Sequence, residues 1–314
     1  MQIGIAAVQA EIRSDCYLNQ EAFNRRVLRL ADTAAQSLPK VPRIIAFPEL
    51  FAMPLLFWLE TQPQAHDSKT MVQAALKIIG SNTRHWTPRG FYHLRTPKVY
   101  PTYEAAFKKA AIRTKSYILA GTLLGPLIDW EPSRGYHATG SKAYNWGLFF
   151  SPQGTILARP IKERLTSTER MSLISSGKSG NVKTATLGTI ATLICLDAFH
   201  ESLIEIADAL GAWLLIQPSA NSRAWSGAWS GDIGQGEGEV WLREGLAKKL
   251  VGRENLRYGI NPMLNGKFYE LEFEGRSSLA QPGGFLALAE KPVGDEILAA
   301  TIELPGHPPP LAKS

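Results

Sequence analysis

An α/β fold follows from three patterns in this chain. Strand-like and helix-like segments alternate from the start, two hairpins with glycine turns interrupt that alternation, and an apolar run stops at a thiol before another helical segment. Residues 3–8 (Ile-Gly-Ile-Ala-Ala-Val) read as a buried strand, residues 19–35 carry apolar side chains at helical spacing, and residues 43–47 form a second strand stopped by Pro48. This is a βαβ opening. Residues 103–114 predict a helix leading into a strand over 117–124. Residues 143–150 and 155–159 flank Pro152-Gln153-Gly154 as a hairpin, and strands over 182–187 and 189–194 turn at Gly188. A helix over 201–210 and a strand over 212–217 follow. No repeat of fixed period interrupts the pattern. One domain over 1–303 with a proline-rich tail at 304–314 is the economical reading.

Composition bounds the function. A chain of 314 residues with 45% hydrophobic residues can bury a large core. The net charge of +6 comes from Lys and Arg scattered among acids, which fits a solvated surface and predicts no nucleic-acid partner. Cys16 and Cys195 are far apart, and the opening Met1-Gln2-Ile3-Gly4-Ile5 has neither a basic region nor a cleavage site, so a reducing cytoplasm without disulfides is expected. The longest apolar stretches fall short of the roughly 18 residues of a membrane span, so no membrane is expected. His66, His85, His93, His137, His200 and His307 lack zinc-ligand spacing, and no glycine-rich phosphate loop follows a strand. Neither a metal nor a cofactor is expected.

Chemistry concentrates at three strand ends. Cys195 closes the apolar run Leu193-Ile194, and the polar Asp197, His200 and Glu201 mark the exit from the sheet. A thiol at a strand-to-helix junction meets unpaired N–H groups and the positive end of a helix, both of which favour thiolate. A satisfied core cysteine fits the same local pattern. Glu49 follows the strand at 43–47, and Lys162 follows the strand at 155–159. Ligands in α/β sheets bind beyond the carboxyl ends of strands, so Glu49, Lys162 and Cys195 can converge on one cavity. Taken singly, Glu49 and Lys162 also fit solvated loop positions.

In their order and spacing, Phe47-Pro48-Glu49, Lys162 after a Gly-turn hairpin, and Leu193-Ile194-Cys195-Leu196-Asp197 resemble the nitrilase, or carbon–nitrogen hydrolase, superfamily. Further matches are Ile5-Ala6-Ala7-Val8-Gln9, Ala120-Gly121, Tyr144-Asn145, Pro218-Ser219-Ala220-Asn221 and Glu274-Gly275-Arg276-Ser277-Ser278, so the resemblance spans nearly the whole chain. It implies a four-layer α-β-β-α sandwich and assembly into a homodimer or larger homo-oligomer, with the helices near 103–114 and 201–210 as candidate contacts. Glu169, seven positions after Lys162, matches the second glutamate of nitrilase-like members; a surface glutamate in a turn is the alternative.

The residue types then define a reaction. Glu49 accepts the proton of Cys195, which attacks the carbon of a small-molecule amide or nitrile. Lys162, kept cationic by Glu49 and Glu169, stabilises thiolate and oxyanion together with the N–H following Cys195, at Leu196. A thioester forms, and water releases a carboxylic acid. Leu196-Asp197 resembles amidase and carbamoylase branches more than strict nitrilases, which favours amides, although the Lys162–Glu169 spacing keeps nitriles open. An N-acyltransferase and a non-catalytic small-molecule-binding relative are the remaining alternatives. Residues 53–101, with Phe57, Trp58, Trp86, Phe91, Tyr92 and Tyr100, exceed the usual family connection and read as a lid beside the site, or as an added surface subdomain. Asn221 and Arg223, which precede a glycine-rich segment at 231–238, are candidates for binding substrate, Arg223 through a carboxylate.

Overall fold

The computed structural model describes residues 1–81, 86–229 and 234–304. It opens with β1 (Gln2–Glu11), buried along almost its whole length as a strand covered on both faces must be. α1 (Gln20–Gln36) begins where the Asn19 side chain accepts the Ala22 N–H at 2.9 Å, satisfying a first-turn donor. After β2 (Arg43–Ala46) come α2 (Leu55–Trp58), α3 (Pro63–His66), α4 (Met71–Ile79) and the long α5 (Pro88–Thr114). β3 (Tyr117–Glu131) and β4 (Gly135–Phe150) form an extended hairpin, against which β5 (Ile156–Ala158) folds back. α6 (Ser167–Met171), β6 (Gly180–Thr184), β7 (Gly188–Thr192), a 3-10 turn at Cys195–Phe199, α7 (Glu201–Ala209), β8 (Ala212–Ile216) and β9 (Ser219–Ala220) follow. The last part holds α8 (Glu237–Glu244), α9 (Leu246–Lys249), β10 (Tyr258–Asn261), β11 (Met263–Phe268), β12 (Leu271–Phe273), β13 (Ser278–Gln281), β14 (Gly284–Leu288) and β15 (Glu296–Glu303).

These strands make two sheets. One runs β12-β11-β1-β2-β3-β4-β5, with β15 also on β1 and β9 on β11; the other runs β14-β13-β10-β8-β7-β6. Because strand side chains alternate between faces, each sheet has two apolar sides, and the buried residues accordingly separate into three clusters. Ala6, Val8 and Ala10 of β1 pack with Phe23, Val27 and Leu30 of α1 and Phe107 of α5. The alternate residues Ile3, Ile5 and Ala7 meet Ile190, Leu214 and Ile216 of the second sheet. Leu215 and Ala191 face Leu203, Ile204 and Ala207 of α7 and Leu246 of α9. Three apolar interfaces separate four layers in the order helix, sheet, sheet, helix. Among the described residues no helix is long and apolar enough to cross a membrane.

The expected strands and helices stand within a few residues of their places, with three differences. Residues 53–101 are largely helical rather than a loop, and the helix expected from 103 begins at Pro88 and passes through Pro97 and Pro101. Each proline removes one helical donor, yet Phe91, Val99, Tyr100, Tyr103 and Phe107 bury this helix so thoroughly that tertiary packing overrides the local preference. Likewise, β3 continues beyond 124 and its partner β4 begins at Gly135 rather than 143, because the register shift at Gly125–Leu127 absorbs the Gly125-Pro126 pair that reads as a strand end. Finally, Leu304 is held by Met1, and the tail at 305–314, the segment 230–233, His85 and His307 lie outside the described residues.

One ion pair with a buried arginine closes the helical layer onto β1. The Arg26 side chain is fully buried, its guanidinium forks onto Asp295, and it also donates to Glu11 O at 2.8 Å. Burial opposes ionisation of Asp295, but Arg26 and the Glu11 N–H outweigh it and hold the carboxyl at about 2. Asp295→Ala strands a buried cation, so urea unfolding should show a loss of about 3 kcal/mol. Since the folded pKa is depressed, the wild-type contribution is complete above the ordinary carboxylate pKa near 4 and disappears as pH falls toward 2; a variant with unchanged stability at pH 7 would contradict this.

Candidate active site

Glu49 sits in the turn after β2, and neighbouring strand β3 fixes that turn. Thr122 Oγ1 accepts the Leu50 N–H at 2.8 Å. At Gly121, whose φ is +70°, a Cβ would stand 2.3 Å from Pro48 O, so only glycine lets the turn approach. Lys162 is tied to the end of β4 by its N–H to Asn145 O at 2.8 Å, and its carbonyl accepts Gly177 N–H at 2.9 Å. Cys195 leaves the second sheet in a left-handed conformation, φ +51°, with its N–H on Pro218 O at 2.9 Å and its carbonyl accepting Gln217 Nε2 at 3.0 Å. A non-glycine residue in that region is strained and held by its surroundings.

The four side chains expected from the sequence come together. Lys162 Nζ donates to Glu49 Oε1 at 2.7 Å and lies 3.0 Å from Glu169 Oε2. Asn145 Nδ2 donates to Glu49 Oε1 and Glu169 Oε1, each at 2.8 Å. The Cys195 thiol is close enough to the Glu49 carboxylate to feel its charge, and the Ala220 N–H donates to Glu49 Oε2 at 3.0 Å. Glu49 and Lys162 are each 2% exposed, so water contributes little to their balance. Glu169 also accepts the Thr166 N–H at 2.9 Å as the cap of α6, so one carboxylate both starts a helix and orients the lysine.

Electrostatics assign the resting protonation state. Burial alone would lower Lys162, but Glu49, Cys195 and Glu169 outweigh it and hold the ammonium well above its ordinary range. Burial pushes Glu49 up, opposed by Lys162 and reinforced by Glu169. Glu169 resists burial through Lys162 and Asn145 and falls below its ordinary value. Cys195 departs from expectation. Burial and the Glu49 charge push its thiol far up, against the pull of Lys162. The helix-end argument for a standing thiolate is therefore overridden by burial beside a carboxylate. At rest the sulfur keeps its proton, and transfer to Glu49 leaves the cluster's net charge unchanged.

The substrate-binding candidates divide. Leu196 is partly exposed, and its N–H lies in the first turn of the 3-10 segment, where no earlier carbonyl of that segment is available. Its side chain lines a cavity of about 400 Å³. Asn221 is buried, and its Nδ2 is committed to Arg223 O and Glu274 O at 3.1 and 3.2 Å. Arg223 is exposed, and its charge acts on Glu237.

Three contributors escaped the sequence reading. Asn145 was visible only as part of a motif, although an amide inside an apolar strand was a signal. The Ala220 N–H has no side-chain signature. Asp197, fully buried, accepts Ile194 N–H at 3.2 Å, Glu163 N–H at 3.1 Å and Arg164 N–H at 2.6 Å, clamping the lysine loop to the cysteine turn. Burial raises its carboxyl to about 6 despite those donors.

Known proteins share this architecture. A carbon–nitrogen hydrolase from Helicobacter pylori G27 aligns with a TM-score of 0.64 at 16% identity, over 96% of this chain and 89% of that one. Nit3 of Saccharomyces cerevisiae, a nitrilase-superfamily member, gives 0.58 at 17% identity over 96% and 89%. A mutant of the amidase from Nesterenkonia sp. AN1, with an acetamide moiety covalently added at its active-site cysteine, gives 0.60 at 16% over 96% and 90%. No curated protein matches the sequence significantly. The carbon–nitrogen hydrolase family model matches residues 4–233, and with that match over most of its length the chain belongs to the carbon–nitrogen hydrolase family.

Proposed function

We propose that the protein hydrolyses the carbon–nitrogen bond of a small-molecule amide through a Cys195 thioester. The observation that carries this reading is the Lys162 ammonium, which bridges Glu49 and Glu169 at 2.7 and 3.0 Å beside a Cys195 thiol that feels all three charges. As sulfur attacks the carbonyl carbon, its proton passes to Glu49. The oxyanion faces Lys162 and the Leu196 N–H. Glu49 then protonates the leaving nitrogen as the C–N bond breaks, which gives ammonia or an amine and the thioester. A water gives its proton to Glu49, attacks the thioester and releases the acid, and the proton returns to sulfur. The acetamide adduct on the cysteine of the Nesterenkonia amidase supports an amide over a nitrile.

Residues 53–101 form the wall beside this centre in the same reading. Phe57, Phe91 and Tyr92 line an apolar cavity of about 130 Å³ with Ser172, and the Tyr92 hydroxyl is close enough to Glu169 to feel its charge. Exposed Ile206 and Leu210 beside α7, 52% and 57% accessible, support self-association through that helix.

Ammonia release from a panel of aliphatic and aromatic amides, carbamoyl amino acids and nitriles tests the reading. Activity should vanish in Cys195→Ala; equal release by wild type and variant sinks the thiol mechanism. Glu49→Gln should lower kcat by about 10³-fold, in the range of a lost general base, and should slow iodoacetamide labelling of Cys195, since the thiol needs that carboxylate to lose its proton. The acid limb of kcat/KM should fall above the ordinary carboxylate range, because Glu49 is raised and must be ionised to accept the proton; a limb at the ordinary value would reassign the base. Tyr92→Ala should reorder the amides by acyl group, and an unchanged ranking with an unchanged melting temperature would remove residues 53–101 from the substrate wall.

A further inference from the structure

Glu49, Lys162, Glu169 and Asn145 close into a ring. On one side Lys162 Nζ meets Glu49 Oε1 at 2.7 Å and Glu169 Oε2 at 3.0 Å; on the other Asn145 Nδ2 donates to Glu49 Oε1 and Glu169 Oε1, each at 2.8 Å. Asn145 is fully buried, and its backbone carbonyl accepts the Lys162 N–H at 2.8 Å. One residue thus fixes both the root of the lysine and its two carboxylate partners. The network also dictates which way the amide points. Turned over, Oδ1 would stand against two carboxylate oxygens; as placed, it has no donor among the described residues, and the amide nitrogen serves the carboxylates alone.

The two oxygens of Glu49 are thereby unequal. Each carboxylate oxygen has room for about two donors. Lys162 and Asn145 fill Oε1, while Oε2 accepts the Ala220 N–H at 3.0 Å and keeps its second position. Ala220 belongs to β9, which packs on the 3-10 turn that begins at Cys195, and the Cys195 N–H is bonded to Pro218 O just before that strand. Oε2 therefore lies on the cysteine side of the carboxylate and Oε1 on the lysine side.

We infer that Asn145 is a positioning residue for the proton transfer: by filling Oε1 together with Lys162, it leaves Glu49 Oε2 as the atom that takes the Cys195 proton. The inference rests on the thioester reading and deepens it. In that step the S–H bond breaks and an O–H bond forms at Oε2, the sulfur pair bonds the carbonyl carbon, and the C=O π pair moves onto oxygen. The charged and titratable groups facing Glu49 are Lys162, Glu169 and Cys195. A donor to an ionised carboxylate favours ionisation, so Asn145 helps to keep two acids charged beside a single ammonium.

Two variants separate positioning from mere packing. Asn145→Leu keeps the size of the side chain without its donors, and Asn145→Asp keeps its shape but adds a third acid. In Asn145→Leu, kcat for ammonia release should fall about 100-fold with KM within about twofold, as for a reacting group held out of place. The acid limb of kcat/KM should move up by about half a pH unit or more, and further in Asn145→Asp, where a like charge opposes ionisation of Glu49. An unmoved limb in both variants, with kcat lost only in proportion to the unfolded fraction, overturns the positioning role. The second measurement needs no turnover. Alkylation of Cys195 by iodoacetamide, followed against pH by mass spectrometry with Cys16 as internal control, should be slower in both variants and displaced to higher pH, least in the wild type and most in Asn145→Asp. Coincident profiles overturn the inference; the ordered displacement without ammonia release from any amide supports Asn145 and overturns the amidase reading instead.

Discussion

Two carboxylates and one ammonium share a pocket that water scarcely enters, and the placement of nearly everything around it follows from keeping that cluster neutralised. An isolated buried charge costs several kcal/mol, and removing one partner of such a set leaves the others uncompensated. Lys162 offsets Glu49 and Glu169, Asn145 supplies two more donors, and Ala220 a third. The thiol is the one ionisable member that stays neutral. Handing its proton to Glu49 therefore leaves the total charge fixed and Lys162 cationic.

The sandwich makes such a cluster possible because its members come from three different connections that follow strands. Glu49 and Lys162 belong to connections after β2 and β5 of one sheet, and Cys195 to the connection after β7 of the other. The apolar interface between the sheets fixes their separation, while local devices set the final ångström. Gly121 admits the Glu49 turn, Asp197 joins the lysine loop to the cysteine turn, and the strained φ of Cys195 aims the sulfur. Backbone strain persists where hydrogen bonds over-determine the chain, and here the peptide groups on both sides of Cys195 are held.

How much of this was legible in the sequence depends on the scale of the cause. Strands β1, β2, β7 and β8 were readable because apolar runs with sharp polar ends have few other solutions. The layer order came from family resemblance, since periodicity alone does not say which sheet faces which. Glu49, Lys162, Glu169 and Cys195, which the structure brings together, were legible because ionisable side chains announce themselves by residue type. Asn145 acts through an amide, Ala220 through its backbone, and Asp197 as a hydrogen-bond acceptor, so each became visible only with coordinates. The prolines of α5 misled for a physical reason. Local rules weigh a lost donor, whereas burial against β3 and β4 weighs a whole helix face. The resting thiol was misjudged in the same way, because sequence shows the helix end but not the depth of burial.

The pairing of β15 along β1, from Gln2 with Glu303 to Gln9 with Glu296, sets the order in which a growing chain can complete itself. β1 gains β2 early, but its other edge waits for a strand made almost three hundred residues later. Until then an apolar, nearly flat edge stands open in the nascent protein, the kind of surface that pairs with foreign strands. Closure therefore waits until β15 has been made. During elongation, β1 is among the last strands of its sheet to be covered on both edges.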